Sequence, residues 1–264
     1  MVSKIISKKG REKIVMLTCY NYTMAKILEE AGVDIILVGD SLGTVEKGEK
    51  NTLGVTIEEV IYHTKNVRRG AQNSFIVADM PFLSYSVTNI DEGVRNAGRL
   101  IKEGGANAVK LEGGKEFKDL IASMTAIGIP VMGHIGLKPQ SVNLYGYRVA
   151  GKTEKEFEEL LQDARAIEEA GAFALVLECT TEEASKAITE SIKIPTIGIG
   201  AGRFVDGQVL VLTDMLGMEK DKKYKHNKVY VNLYEIILGA VRSFADDTKK
   251  GIFPSEEQTF HQEK

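Results

Sequence analysis

The stretch Glu30-Ala31-Gly32-Val33-Asp34-Ile35-Ile36-Leu37-Val38-Gly39-Asp40 decides how the rest of the chain is read. It runs from a helix end, through a glycine suited to the left-handed conformation that stops a helix, into an apolar strand with an acid where that strand emerges. The same order recurs from Glu103-Gly104-Gly105 to Glu112 and from Glu169-Ala170-Gly171 to Glu178. Each repeat reads as one unit of helix, short connection and buried parallel strand.

Working outward, short apolar runs occur at Val15–Thr18, Asp34–Gly39, Phe75–Ala78, Ala108–Leu111, Pro130–Gly133, Phe173–Leu177, Pro195–Ile199 and Val209–Leu212. Several are separated by amphipathic stretches long enough for a crossover helix, which defines an α/β protein. Thr56 with Glu59 and Thr153 with Glu156 have the spacing of capping boxes, each ahead of such a stretch. No Pro/Ser-rich linker divides the chain, so the expectation is a single (β/α)8 TIM barrel over 1–264, with a loosely held tail from about 252; a doubly wound open sheet is the alternative. The polar segment Glu219–Lys228 reads as a solvated loop, followed by a helix with Leu233, Ile236, Ile237, Ala240, Val241 and Phe244 on one face.

Composition narrows the function classes. The 264 residues are 43% hydrophobic and 27% charged, with a formal net charge of −3, which argues against nucleic acid or an anionic membrane surface as partner. No apolar run approaches the roughly 20 residues of a membrane helix, and Met1–Lys13 is basic without an apolar stretch, so the expected location is cytoplasmic. Cys19 and Cys179 fit neither a zinc spacing nor a disulfide framework and read as thiols.

In a barrel the active site is built where the strands end, so the residue closing each run is the informative one. Here the closers are Asp40, Asp79, Glu112, His134 and Glu178, with Gly198-Ile199-Gly200-Ala201-Gly202 after the seventh run. One acid after a strand is ordinary turn or cap chemistry. Several converging on one mouth repel each other and call for a cation. Oxygen donors favour Mg2+, with Asp40 and Asp79 as ligands and Glu112 either ligating or holding a metal-bound water. An ion so held leaves positions open for the keto and carboxylate oxygens of a 2-oxo acid.

Period-two alternation sets Lys110 on the face of Glu112, as an ion pair with it or a contact to a substrate anion. Ser41 reads as turn chemistry or a donor to the same anion, and His134 as a hydrogen-bonded core histidine or a substrate contact. Glu178, across the barrel behind Ala174 and Val176, suits proton abstraction if it is not a further metal ligand. His63, His226 and His261 read as bland. The glycine run occupies a common phosphate-binding place or merely permits close packing. The long connection Ile135–Lys152 reads as a lid.

These residues carry a family resemblance. Thr18-Cys19-Tyr20-Asn21-Tyr22, Val38-Gly39-Asp40-Ser41-Leu42-Gly43, Ala78-Asp79-Met80-Pro81-Phe82, Val109-Lys110-Leu111-Glu112-Gly113-Gly114, Gly133-His134-Ile135-Gly136-Leu137, Leu177-Glu178-Cys179 and Asp206-Gly207-Gln208-Val209-Leu210 resemble the ketopantoate hydroxymethyltransferases nearly end to end. The resemblance implies a barrel of the phosphoenolpyruvate/pyruvate-like type and Mg2+-dependent transfer of a hydroxymethyl group from 5,10-methylenetetrahydrofolate to 3-methyl-2-oxobutanoate, giving 2-dehydropantoate for pantothenate biosynthesis. It further implies a homo-oligomer, a decamer built as a pentamer of dimers. By matching position it implies Asp40 and Asp79 at the metal with Glu112 supporting, Asp40, Ser41, Asp79, Lys110 and His134 around the keto acid, and Glu178 as base.

The chain departs from the family pattern at Glu46-Lys47-Gly48-Glu49, Gly54, Lys138 and Gln258. The alternatives are a Mg2+-dependent C–C lyase or mutase of the isocitrate lyase/PEP mutase type, whose Lys-Lys-Cys-Gly-His loop is absent, and a noncatalytic ligand-binding barrel.

Overall fold

The computed structural model describes residues 2–220 and 224–263. Its strands are β1 (Ile14–Thr18), β2 (Ile35–Val38), β3 (Phe75–Asp79), β4 (Ala108–Glu112), β5 (Val131–Gly136), β6 (Ala174–Glu178), β7 (Thr196–Ile199) and β8 (Gly207–Leu210). They pair in parallel in chain order, and β8 returns to β1 with Ile14 opposite Gly207 and Leu17 opposite Leu210, closing the barrel. Closure removes the open-sheet alternative, because no strand edge is left unpaired.

Alternate positions of the strands fill the interior: Ile14 and Met16, Ile35 and Leu37, Phe75 and Val77, Ala108, Met132, Ala174 and Val176, Ile197 and Val209. Phe75 and Phe173 meet edge to face at 5.7 Å, and Ile5, from the helix Val2–Ile6, joins the same cluster. Residues of opposite parity, such as Ile36, Ile76, Val109 and Leu175, are equally buried, with helices covering the outer face. The helix Ile57–Gly70 turns Val60, Ile61, Thr64 and Val67 inward, a single stripe at helical spacing.

Local signals govern the helix starts. Thr56 accepts from Glu59 N–H while the Glu59 carboxylate accepts from Thr56 N–H, a complete capping box. At Thr153 only half of the expected box forms. Its hydroxyl accepts from Glu156 N–H, but the Glu156 carboxylate turns to Lys152 N–H and Arg148 instead, because that cation competes for it. Residues 200–206 join β7 to β8 without a helix, so the glycine run precedes bends rather than a helix N-terminus. A side chain at Gly202, with φ +75°, would strike Glu182, which explains that glycine by packing alone.

By its contacts the chain divides into two compact units, Met1–Leu212 and Thr213–Lys264, whereas the sequence reading draws no boundary at 212. The first unit is the barrel. In the second, the expected helix spans Leu233–Lys250, with Ile236, Ile237, Val241 and Phe244 exposed. Phe253 from the tail meets Phe244 at 5.4 Å, and Gln258 closes a capping box with Ser255. Of the expected solvated loop, residues 221–223 lie outside the described residues. No helix among the described residues is long and apolar enough to cross a membrane.

Candidate active site

The interior parity that is apolar at the bottom of the barrel continues to its C-terminal end and becomes polar there. Val77 is followed two residues on by Asp79, Ala108 by Lys110 and Glu112, Met132 by His134, and Val176 by Glu178. Pleating points these side chains into one mouth. Asp40 belongs to the same rim although it lies beyond the end of β2: its backbone N–H donates to Asp79 Oδ2 at 2.9 Å. Asp40, Asp79, Lys110, Glu112 and His134 are all buried.

A chain of contacts crosses the mouth strand by strand. Lys110 Nζ stands 3.0 Å from Asp79 Oδ1 and 3.1 Å from His134 Nδ1, and His134 Nε2 stands 3.3 Å from Glu178 Oε2. The ammonium at Nδ1 has only protons to offer, so the imidazole proton resides on Nε2 and faces Glu178. That last pair is close but misaligned, and Nε2 makes no hydrogen bond. Burial, reinforced by Lys110, holds the His134 pKa below its ordinary value, so the ring is neutral. Burial pulls against the charge on Lys110, but Asp79, Glu112 and Asp40 outweigh it and raise its pKa.

The carboxylates exceed their countercharge. Burial first, then the neighbouring Asp79 charge, push Asp40 up to about 7, against the opposing pull of Lys110 and Gln140. Burial and Asp40 likewise raise Glu112 well above the carboxylate range. The single ammonium of Lys110, 3.0 Å from the buried Asp79 Oδ1, is shared among Asp79, Glu112 and Asp40. A buried anionic oxygen facing an under-neutralised neighbour has the chemistry of a cation-binding position, and two aspartates suffice for Mg2+, which keeps waters or substrate oxygens on its other positions.

Among the described residues no three His, Cys, Asp or Glu side chains stand together to hold an ion. Glu112 Oε2 accepts from Gln140 N–H at 3.0 Å, while Oε1 faces His134 Nδ1 at 3.8 Å. Its backbone lies on β4, one strand beyond Asp79. Glu178 has less apolar surroundings than Ala174 and Val176 on its own face of the strand suggest. It is not enclosed in an apolar pocket: its side chain is 20% exposed against 3% for its neighbour His134. The barrel opens at that point, giving an incoming substrate access.

Ser41 is tied to Tyr20, hydroxyl to hydroxyl, at 2.6 Å. Its Oγ and Asp79 Oδ2 crowd the open face of Gly39, where a Cβ would lie 2.9 and 3.2 Å from them. His63, on an outer helix, braces Tyr20 through its backbone carbonyl at 2.7 Å, a structural duty in keeping with its bland reading. Thus Asp40, Ser41, Asp79, Lys110, Glu112, His134 and Glu178 are gathered at one rim.

Sequence reasoning missed three contributors. Gln140 and Tyr85 are buried against Glu112, and Tyr20 holds Ser41. Cys179 takes a left-handed φ of 46°, held by bonds from its N–H to Ile199 O and from Ala150 N–H to its own carbonyl, each 2.8 Å. This strained turn ends β6 immediately after Glu178. Gln140 lies in the connection Ile135–Lys152 read as a lid and Tyr20 in a segment that carries the family resemblance, but neither was given a role.

Two of the departures explain each other. Lys47 pairs with Glu49 at 2.8 Å and Glu59 at 2.7 Å, and a Cβ on Gly54 would lie 2.8 Å from Glu49 Oε2, so glycine at 54 makes room for the carboxylate introduced at 49. Lys138 reaches Glu116 at 3.6 Å and the Tyr145 ring at 5.7 Å.

The architecture is that of a TIM-barrel class found in solved enzymes. A phosphonopyruvate hydrolase crystallised with oxalate and Mg++ is similar at TM-score 0.62 and 16% identity, over 98% of this chain and 90% of that one. A 2,3-dimethylmalate lyase of the PEP mutase/isocitrate lyase superfamily is similar at TM-score 0.61 and 15% identity, over 98% and 91%. At such identity the likeness is one of fold. Residues 1–256 match the ketopantoate hydroxymethyltransferase family, and the 3-methyl-2-oxobutanoate hydroxymethyltransferase of Thermotoga maritima is 56% identical over 98% of this chain and 96% of its own length. The chain belongs to that enzyme family.

Proposed function

We propose that the protein transfers a hydroxymethyl group from 5,10-methylenetetrahydrofolate to 3-methyl-2-oxobutanoate, yielding 2-dehydropantoate and tetrahydrofolate. Beyond family membership, one observation carries this reading: a line of closely spaced side chains runs from the buried Asp79 through Lys110 and His134 to the accessible Glu178. It supplies, at one mouth, places for an anion, its countercharge and a base.

Asp40 and Asp79 would hold Mg2+, with Glu112 supporting from behind Gln140. When bound, the ion supplies polarisation of the keto oxygen and charge neutralisation for the enolate. Lys110 and Ser41 orient the substrate carboxylate and keto group. Glu178 removes the proton from C3, and the neutral His134, its Nε2 proton toward Glu178, steadies the carboxylate during that transfer. The resulting carbanion attacks the folate-borne methylene carbon; both carbon–nitrogen bonds to folate break, water provides the hydroxyl group, and the two freed nitrogens take up the proton held by Glu178 and the second proton of that water.

The exposed apolar side chains on the helix Leu233–Lys250 favour a homo-oligomeric form, for which a decamer built as a pentamer of dimers is the proposed state. A cytoplasmic setting without nucleic-acid or membrane partners accords with the charge balance. The deciding assay incubates the purified protein with 3-methyl-2-oxobutanoate, formaldehyde, tetrahydrofolate and Mg2+. Formation of 2-dehydropantoate dependent on both folate and metal is expected, and its absence overturns the reading.

A further inference from the structure

The connection from β5 to the helix Glu154–Glu169 is fastened at its two ends. Leu137 N–H donates to Glu178 O at 2.7 Å, and Ala150 N–H to Cys179 O at 2.8 Å. Between these fasteners the residues are exposed or half-buried with one exception, Gln140, which is 7% exposed.

Every polar group on the Gln140 side chain is engaged. Nε2 donates to Asp40 Oδ2 at 2.8 Å and to Met80 O at 2.9 Å, and Oε1 lies 2.8 Å from the Tyr85 hydroxyl. Its backbone N–H holds Glu112 Oε2, and Tyr85 accepts from Glu112 N–H at 3.0 Å. The amide orientation is dictated by its partners, since the reverse would set its oxygen against a carboxylate and a carbonyl. One residue of an exposed loop therefore grips the two buried acids whose charges are least compensated. Its bond to Asp40 Oδ2 fixes the plane in which that carboxylate lies.

We propose that Gln140 is a positioning residue that couples seating of the 138–149 loop to the geometry of Asp40 and Glu112, fixing the orientation of the Asp40 carboxylate and holding Glu112 in place beside it. The proposal rests on the functional reading above for its link to magnesium, but the grip on the loop stands apart from turnover. Partners behind a metal site commonly change affinity or activity by about 10–100-fold when removed.

The test is Gln140→Met, which fills a similar volume without the hydrogen bonds. Magnesium binding is measured by calorimetry, and tryptic cleavage after Arg148 is followed with and without the ion, alongside thermal unfolding. We expect magnesium affinity to weaken by at least about tenfold and cleavage after Arg148 to accelerate by a similar factor, while unfolding remains cooperative. A folded variant with wild-type affinity, or with a wild-type cleavage rate, overturns the proposal. Should the variant fail to fold, Tyr85→Phe, which frees Gln140 Oε1, decides in the same way: weaker magnesium binding and faster cleavage support the proposal, and unchanged values defeat it. Failure of the wild-type transfer assay defeats the functional reading instead, and neither of these measurements requires turnover.

Discussion

At the N-terminal end of the barrel, Asp206 accepts from Lys9 Nζ at 2.8 Å, Gly10 N–H at 3.1 Å and Thr196 N–H at 2.9 Å. At the C-terminal end, Asp40, Asp79 and Glu112 share the one ammonium of Lys110, and Asp40 and Glu112 sit among like charges. Both ends bury acids, and the physics separates them. The Lys9 partner and the backbone donors outweigh burial and hold Asp206 below its ordinary pKa, whereas burial and mutual repulsion lift Asp40 and Glu112. A satisfied carboxylate ties the segment Lys9–Gly10 to the barrel floor. An under-satisfied one is poised for an ion or a reaction.

The comparison breaks most visibly at Glu178. Glu178→Gln is expected to reduce transfer by roughly 10³-fold and abolish solvent deuterium exchange at C3 of the keto acid, with unfolding temperature unchanged. Undiminished exchange, followed by the NMR signal of the C3 proton, would remove Glu178 as base.

The rim is next. With Asp40 raised to about 7 and Glu112 raised with it, the metal-free fold prefers those groups protonated. Their contribution to stability is present below the unfolded carboxylate value near 4 and is lost as pH rises through their raised values, about 7 for Asp40. His134, lowered, acts in the opposite sense as a single group against two. Because an ion competes with those protons, saturating Mg2+ should raise Tm more at pH 8 than at pH 5, by about 5 °C at 100 times its Kd. Asp79→Asn, which keeps the acceptor for Asp40 N–H, should lose that gain in scanning calorimetry. Equal gains at the two pH values would show that the rim does not hold the ion.

The floor should behave in the opposite manner. Asp206→Asn is expected to destabilise by about 2 kcal/mol and lower Tm by roughly 5 °C while leaving the kcat and KM of transfer as they are. Its carboxylate contribution is present above about pH 4 and disappears only as pH falls through its lowered pKa, a window separate from that of Asp40. A large loss of activity at full stability would erase the contrast between floor and rim.

Much of this was legible in one dimension. The apolar runs locate all the strands to within a few residues, because a strand buried on both faces must be apolar at both parities. The acids stand out because they interrupt those runs where a barrel opens. Gln140 was not legible: it sits 100 positions from Asp40, in a polar loop where nothing distinguishes it from a solvated glutamine. The half-formed box at Thr153 has the same origin, since Glu156 was claimed by Arg148 from the preceding loop.

The order of strands, the parity that carries Asp79, Lys110, Glu112, His134 and Glu178 inward, and the excess of acid at one end are properties of the linear chain, because hydrophobic alternation and strand pleat operate over neighbouring residues. Which oxygens are taken and which are left belongs to the folded molecule. That Asp206 has a cation and backbone donors of its own while Asp40, Asp79 and Glu112 share Lys110, and that Gln140 reaches Asp40, depends on closing the sheet, since only closure brings donors distant in sequence to bear on a carboxylate within hydrogen-bonding range.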